Sequence, residues 1–222
     1  MNQENSETIP GMKKIIALPL FAAFMAVGSY ISIPVGPVPI ALQNFFVVLA
    51  GLVLGPASGA AAAGLFLFMG LVGLPVYVGG TGGIAHFAAP TAGYLAAYPA
   101  VAWLAGALSR FLRKKPSAEE PAAEDRGFLS FCRELAAALA ADCLLYLIGV
   151  SWLKVRLGLD WPKAIALGLL PFIIGDIIKF LAAALLAPRL RAIFRAEGIA
   201  AFPDRRGADA NEEAENQTRL PE

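Results

Sequence analysis

The chain has 222 residues, 58% hydrophobic and 16% charged, with a net charge of +1 and a mean hydropathy of +0.64. Soluble domains average about 25% charged residues, and here the apolar residues come in long runs, so the composition points to an integral membrane protein. The near-neutral charge gives no reason to invoke nucleic acid, and Cys132 and Cys143 show no metal-ligand spacing and read as buried thiols.

A membrane-spanning helix needs about 20 mostly apolar residues. The first such stretch, 15–33, follows Lys13 and Lys14; it is too long for a signal-peptide core and lacks a small-residue cleavage site, so it reads as a retained span. It ends in IPVGPVPI, whose prolines and glycine force a non-helical connection. The apolar run 41–78 exceeds one span, and Gly55–Pro56 divides it into helices at about 39–54 and 57–74. A glycine-rich segment, GGTGG at 79–83, precedes a fourth span at about 90–109. The polar stretch 113–127 reads as a linker, and two further spans follow at about 134–155 and 163–187. The domain is thus expected over 15–191, as an all-α bundle of six transmembrane helices, with an N-terminal tail at 1–14 and an acidic, disordered C-terminal tail at 192–222.

Charge asymmetry orients this arrangement. Six spans place both termini and the linker on one side, together with Lys13, Lys14, Arg110, Arg113, Lys114, Lys115, Arg126, Arg133, Arg189, Arg191 and Arg195. Lys154, Arg156 and Lys163 fall on the other, which makes both termini cytoplasmic. The loops at 34–40, 75–89 and 156–162 then face outward.

Within PFIIGDIIKFLAAALLAP, residues 171–188, Asp176 and Lys179 stand one helical turn apart on one face. Each charge costs about 2.5–3.5 kcal/mol at the centre of a spanning helix. A packed helix can do without an ion pair, so the pair marks a ligand site, with a structural pairing as the alternative. Pro171 and Gly175 are placed to kink the helix there.

The GGTGG segment also fits a relaxed dinucleotide fingerprint, but no strand precedes it and no acidic residue follows about 20 positions on. Its glycines instead allow close backbone approach to a ligand, or form a flexible connector. His86, the only histidine, reads as structural or ligand-lining. Ser58 lies across the membrane from it, so the two form no catalytic pair. Asp142 is the only other candidate for an intramembrane aspartate dyad, nothing around it supports one, and its role stays open between a structural and a partner contact. No GxxxxGK[ST] motif occurs, which excludes ATP hydrolysis by the P-loop route. Ala22 and Ala26, four apart in LFAAFMAVG, form a small-residue face suited to close helix approach.

Five stretches in order, SIPVGPVPIALQ (32–43), GLVLGPASGA (51–60), GLPVYVGGTGG (73–83), PTAGYL (90–95) and LPFIIGDIIK (170–179), resemble BioY, the biotin-specific S component of energy-coupling-factor (ECF) transporters. The resemblance covers about residues 15–191. It implies a six-helix bundle in the cell membrane that binds biotin from outside, and transport powered by two cytoplasmic ATPase subunits through a transmembrane coupling subunit, although some members are reported to work without them. It implies no cofactor, no metal and no enzymatic activity. By the same resemblance, Asp176 and Lys179 are the polar ligand contacts. Gly79, Gly80, Gly82, Gly83, His86, Thr91 and Tyr94 belong to the loop and helix over the ligand, and Ala22 and Ala26 to the face meeting the coupling subunit. The family's usual PTGGY or PTFGY reads PTAGY here, and His86 stands where an apolar or aromatic residue is commoner. Biotin suits such a site: a carboxylate answers its ureido N–H groups, an ammonium a carbonyl or carboxylate, and aromatic walls its fused rings.

Overall fold

The structure, a computed structural model, describes residues 10–34, 36–113 and 127–196, with side chains from residue 16. Most of the predicted tails and of the predicted linker lies outside the described residues, although the first helix already begins at Pro10 and the last described helix runs on to Ala196, into the stretch expected as tail.

Among the described residues seven α-helices follow in order: α1 Pro10–Tyr30, α2 Gln43–Leu54, α3 Pro56–Leu71, α4 Ala92–Leu112, α5 Phe128–Leu157, α6 Trp161–Gly168 and α7 Ile173–Ala196, with a short 3-10 turn at Ile84–Ala88. The proline-rich connection after α1 forms a small antiparallel hairpin, β1 (Ser32–Ile33) with β2 (Ile40–Ala41), in register Ser32 to Ala41. Alternating IPVGPVPI residues cannot sustain a helix, and the prolines leave only a short ladder.

Among the described residues, α4 and α5 are each long and apolar enough to cross a membrane, and α6 with α7 makes a third crossing, bent by 49°. Three shorter apolar helices, Ile16–Tyr30, Gln43–Leu54 and Pro56–Leu71, complete the bundle. The single span expected at 163–187 is therefore broken. Helix α6 ends at Gly168, residues 169–172 are turn, and α7 starts beyond Pro171, whose ring and missing N–H are incompatible with a helix interior. The fifth helix starts at Phe128, six positions before the expected 134.

The break at Gly55 has the form the sequence implies. Its φ of 85° is open to glycine at low cost, and Pro56 opens α3. Next to it α2 and α4 touch backbone to backbone: a Cβ on Gly51 would stand 2.1 Å from the carbonyl oxygen of Ala102. Close contact of this kind is what holds membrane helices together, because lipid offers no hydrophobic penalty for separation. The core around it combines alanines with Phe21, Phe66, Tyr77 and Phe180, all fully buried.

Two sequence expectations change in three dimensions. Ala22 is fully buried, on the side of α1 that packs against α2 and α3, and Ala26 is half-buried. This small-residue face therefore serves contact within the chain, while α1 exposes Leu20, Phe24 and Val27. Cys143 is exposed rather than buried, on the same outward stripe of α5 as Leu139 and Leu147, and Cys132 is half-buried.

Candidate functional site

The hairpin, the start of α2, the 73–91 loop, the start of α4, the second half of α5 and the start of α7 meet at one end of the bundle. A cavity of about 260 Å³ opens there. Its apolar and aromatic wall includes Val38, Val78, Leu95, Tyr98, Leu145 and Phe172, and its polar lining includes Gln43, Asn44, Thr91, Tyr146 and Lys179. A largely apolar cleft with a few convergent polar groups is the usual form of a small-molecule site.

Asp176 and Lys179 form the expected pair. Nζ lies 2.9 Å from Oδ1, and Asp176 is only 3% exposed. Two partners that the sequence reading missed complete the cluster. Asn44 donates from Nδ2 to Asp176 Oδ1 at 3.0 Å and accepts from Lys179 Nζ on Oδ1 at 3.0 Å. The Tyr146 hydroxyl donates to Asp176 Oδ2. Lys179 also donates to the Ala41 carbonyl at 2.8 Å. Lys179, Asn44 and Tyr146 reach the cavity wall, whereas Asp176 stands behind them and binds all three. Burying a charge is costly unless it is paired and hydrogen-bonded, and these three donors meet that need in an apolar bundle.

Tyr94 and Thr91 line the cavity. The Tyr94 ring lies where a Cβ on Gly149 would come within 2.2 Å of it, and its hydroxyl donates to the Gly168 carbonyl at 2.8 Å. One aromatic thus fixes α4 against α5 and the α6 terminus while presenting a face to the cavity.

The glycines act differently from the expectation. Gly79, Gly80, Gly82 and Gly83 do not line the cavity; the flanking Val78 and His86 do. Gly79, Gly80 and Gly83 adopt φ of 77°, 67° and 89°, and a Cβ on Gly82 would stand 2.2 Å from the Leu74 carbonyl oxygen. They shape the turn that brings Val78 and His86 inward. Tyr77 and Thr81 pair across this turn, and Thr81 Oγ1 lies 3.2 Å from His86 Nδ1. The loop is held down on one side by Ser29, whose hydroxyl donates to the Val76 carbonyl at 2.6 Å. On the other side Trp152 Nε1 donates to the Ala89 carbonyl at 3.0 Å. Burial beside Tyr77 lowers the His86 pKa below its usual 6.5, so the ring is neutral at pH 7.

Two buried polar atoms lack a hydrogen-bond partner among the described residues, Gln43 Nε2 and Asp142 Oδ1. Gln43 is 1% exposed and lines the cavity; Asp142 is 7% exposed and does not. No grouping of side chains suited to a metal ion occurs among the described residues.

A second ionic cluster lies at the opposite end. Arg191 Nη2 donates to Glu134 Oε1 at 2.5 Å, and Nη1 donates to Ser109 Oγ and the Leu52 carbonyl, each at 3.1 Å. Ser109 in turn donates to Glu134 Oε2 at 2.7 Å, and Arg113 approaches Glu134 at 3.9 Å. Glu134 is fully buried, and the cluster joins α2, α4, α5 and α7.

The chain matches the model of the BioY family over residues 1–196. It is 39% identical over 179 residues to a probable biotin transporter BioY of Pyrococcus horikoshii, covering 81% of this chain and 96% of that protein. It is 37% identical over 180 residues to the biotin transporter BioY of Thermotoga maritima, with coverage of 81% and 96%. Its fold superposes on the crystal structure of the S-component for biotin from an ECF-type ABC transporter with a TM-score of 0.71. The identity to that structure is 31%, covering 82% of this chain and 92% of the other.

Proposed function

The chain belongs to the BioY family, and from that premise we propose that it is the biotin-binding membrane subunit of an ECF-type transporter, taking biotin from outside the cell and passing it inward. It is a transport subunit and not an enzyme. The observation that carries the reading is the buried Asp176–Lys179–Asn44–Tyr146 cluster on the wall of an otherwise apolar, aromatic cavity. The ureido group of biotin offers two N–H donors and a carbonyl acceptor to such a cluster, and its fused rings suit the faces of Tyr94, Tyr98 and Phe172. Thr91 and His86 line the same cavity from the loop side and belong to the ligand contacts in this reading. Gly79, Gly80, Gly82 and Gly83 contribute by shaping the loop.

The same reading gives the chain six membrane crossings, α6 and α7 counting as one, with the cavity outward and both termini cytoplasmic. The excess of basic residues at the end away from the cavity supports this orientation. A transmembrane coupling subunit with two ATPase subunits supplies the energy. With Ala22 interior, the side of α1 available to the coupling subunit is its stripe of Leu20, Phe24 and Val27, bordered by Ala26.

The test is a thermal-shift panel of vitamins on the purified chain. Biotin is expected to raise the melting temperature and the other vitamins to leave it unchanged. A shift with a different vitamin and none with biotin assigns the site to that vitamin instead.

A further inference from the structure

We infer that Gln43, rather than Lys179, supplies the hydrogen bond to the ureido carbonyl of the bound ligand, an assignment that rests on the biotin reading above. The polar end of the cavity can be inventoried donor by donor. An ammonium has three N–H bonds, and those of Lys179 are directed at the Ala41 carbonyl, Asn44 Oδ1 and Asp176 Oδ1. The Tyr146 hydroxyl is engaged with Asp176 Oδ2. Asn44 uses one of its two N–H bonds on Asp176. Gln43 uses neither: its Nε2 is buried without a partner, in a side chain that is 1% exposed and lines the same cavity.

The acceptors are in the opposite condition. An oxygen of a carboxylate, an amide or a backbone carbonyl takes two hydrogen bonds. On the cavity wall, Asn44 Oδ1 accepts one here, and the Tyr146 hydroxyl oxygen, itself an acceptor, is engaged through its hydrogen alone. The cluster therefore has acceptor capacity for the two ureido N–H groups, but its cation has no hydrogen left for the ureido oxygen without breaking a bond inside the cluster. A buried amide nitrogen without a partner is costly, and the terminal torsion of glutamine is broad and two-fold, so the amide can turn that nitrogen onto a ligand acceptor. The acceptor that suits it is neutral, because the Asp176–Lys179 pair already balances its own charge. Gln43 is adjacent to Asn44 at the first turn of α2, next to the Ala41 carbonyl that holds Lys179. That places donor and acceptors side by side, as a urea requires. Lys179 then acts as a positioning residue that holds the Asn44 oxygen and the hairpin carbonyl in place.

The experiment compares biotin with 2-iminobiotin, in which the ureido oxygen is replaced by an imine nitrogen, on the purified full chain by titration calorimetry. The proteins are wild type, Gln43→Glu and Gln43→Met, each with a ligand-free melting temperature measured alongside. Wild type is expected to prefer biotin. Gln43→Glu, which exchanges the donor for an acceptor, is expected to lose at least about tenfold in biotin affinity and to shift the biotin-to-iminobiotin ratio at least about tenfold toward 2-iminobiotin. Gln43→Met is expected to lose about tenfold for biotin, with no gain for the analogue. An unchanged ratio in a folded Gln43→Glu overturns the inference, and so does wild-type biotin affinity in Gln43→Met, the variant that decides the matter if the glutamate does not fold. Failure of the wild type itself to bind biotin overturns the biotin reading, which separates the two failures.

Discussion

The bundle holds two buried ionic clusters, and they differ in what lies next to them. Lys179 lines a cavity and Asp176 is bonded to side chains on its wall; Glu134 and Arg191 do not line that cavity and join helices. Both clusters join several elements, and the carboxylate of each is nearly free of solvent. What separates them is whether a buried polar atom is left without a partner. At the closed end, both Glu134 oxygens, both Arg191 Nη atoms and the Ser109 hydroxyl meet one another or the Leu52 carbonyl. At the open end an unpartnered amide nitrogen remains beside acceptors with spare lone pairs. A buried charge is thus no sign of a binding site by itself; a buried charge beside a cavity with unmatched polar atoms is.

This contrast is most strongly tested by removing the cation of the closed cluster. Arg191→Leu removes the nearest cation from fully buried Glu134, leaving Arg113 at 3.9 Å, and is expected to cost up to about 3–5 kcal/mol of stability. Biotin affinity of the folded fraction should stay within about threefold of wild type, since α2, α4, α5 and α7 reach the cavity from their other ends. The double variant Glu134→Leu/Arg191→Leu should recover most of the lost melting temperature, as apolar replacements of buried pairs often do. Loss of biotin affinity in that recovered double variant would show that the two clusters are coupled.

A smaller effect is expected from Tyr146, one of the open cluster's two neutral members. Tyr146→Phe removes one hydrogen bond to a charged group, worth about 1.5–3 kcal/mol, and calorimetry should show biotin affinity falling by roughly 10- to 150-fold. If the change lowers the melting temperature instead and leaves affinity intact, Tyr146 belongs with the structural contacts.

The smallest effect concerns His86. Burial depresses its folded-state pKa below the unfolded value of 6.5, so the unfolded chain binds the proton more readily. Its contribution to stability is then complete above pH 6.5 and is lost as pH falls below that value. Melting curves from pH 7.5 to 5 should show a modest extra loss in wild type that His86→Phe lacks; parallel curves would remove His86 from the acid response.

Parts of the two clusters were legible in the sequence to very different degrees. Asp176 and Lys179 stand out because two charges one turn apart interrupt an apolar run, and the spacing alone places them together. Asn44 meets Asp176 from 132 positions away and carries no comparable signal, because one asparagine at a helix start is more often a capping residue. Glu134 and Arg191, 57 positions apart, sit among the basic residues flanking the helices, where charge is expected and invites no question. Ala22 misled for the opposite reason: a small residue four apart from another fits equally well against the chain's own helices and against a partner's. The break after Gly168 was half legible, since Pro171 announces a kink, but a split into two helices depends on where the chain turns back toward the cavity.

The most direct test of the account is a paired measurement on Asp176→Asn: biotin affinity and ligand-free melting temperature beside those of wild type. Removing one member of a desolvated charge pair at a binding site costs about 2–5 kcal/mol, so affinity should fall roughly 30- to 5000-fold while the melting temperature shifts far less than in Arg191→Leu. Wild-type biotin affinity together with a large loss of melting temperature would make the open cluster a structural pair like the closed one, and would contradict the account.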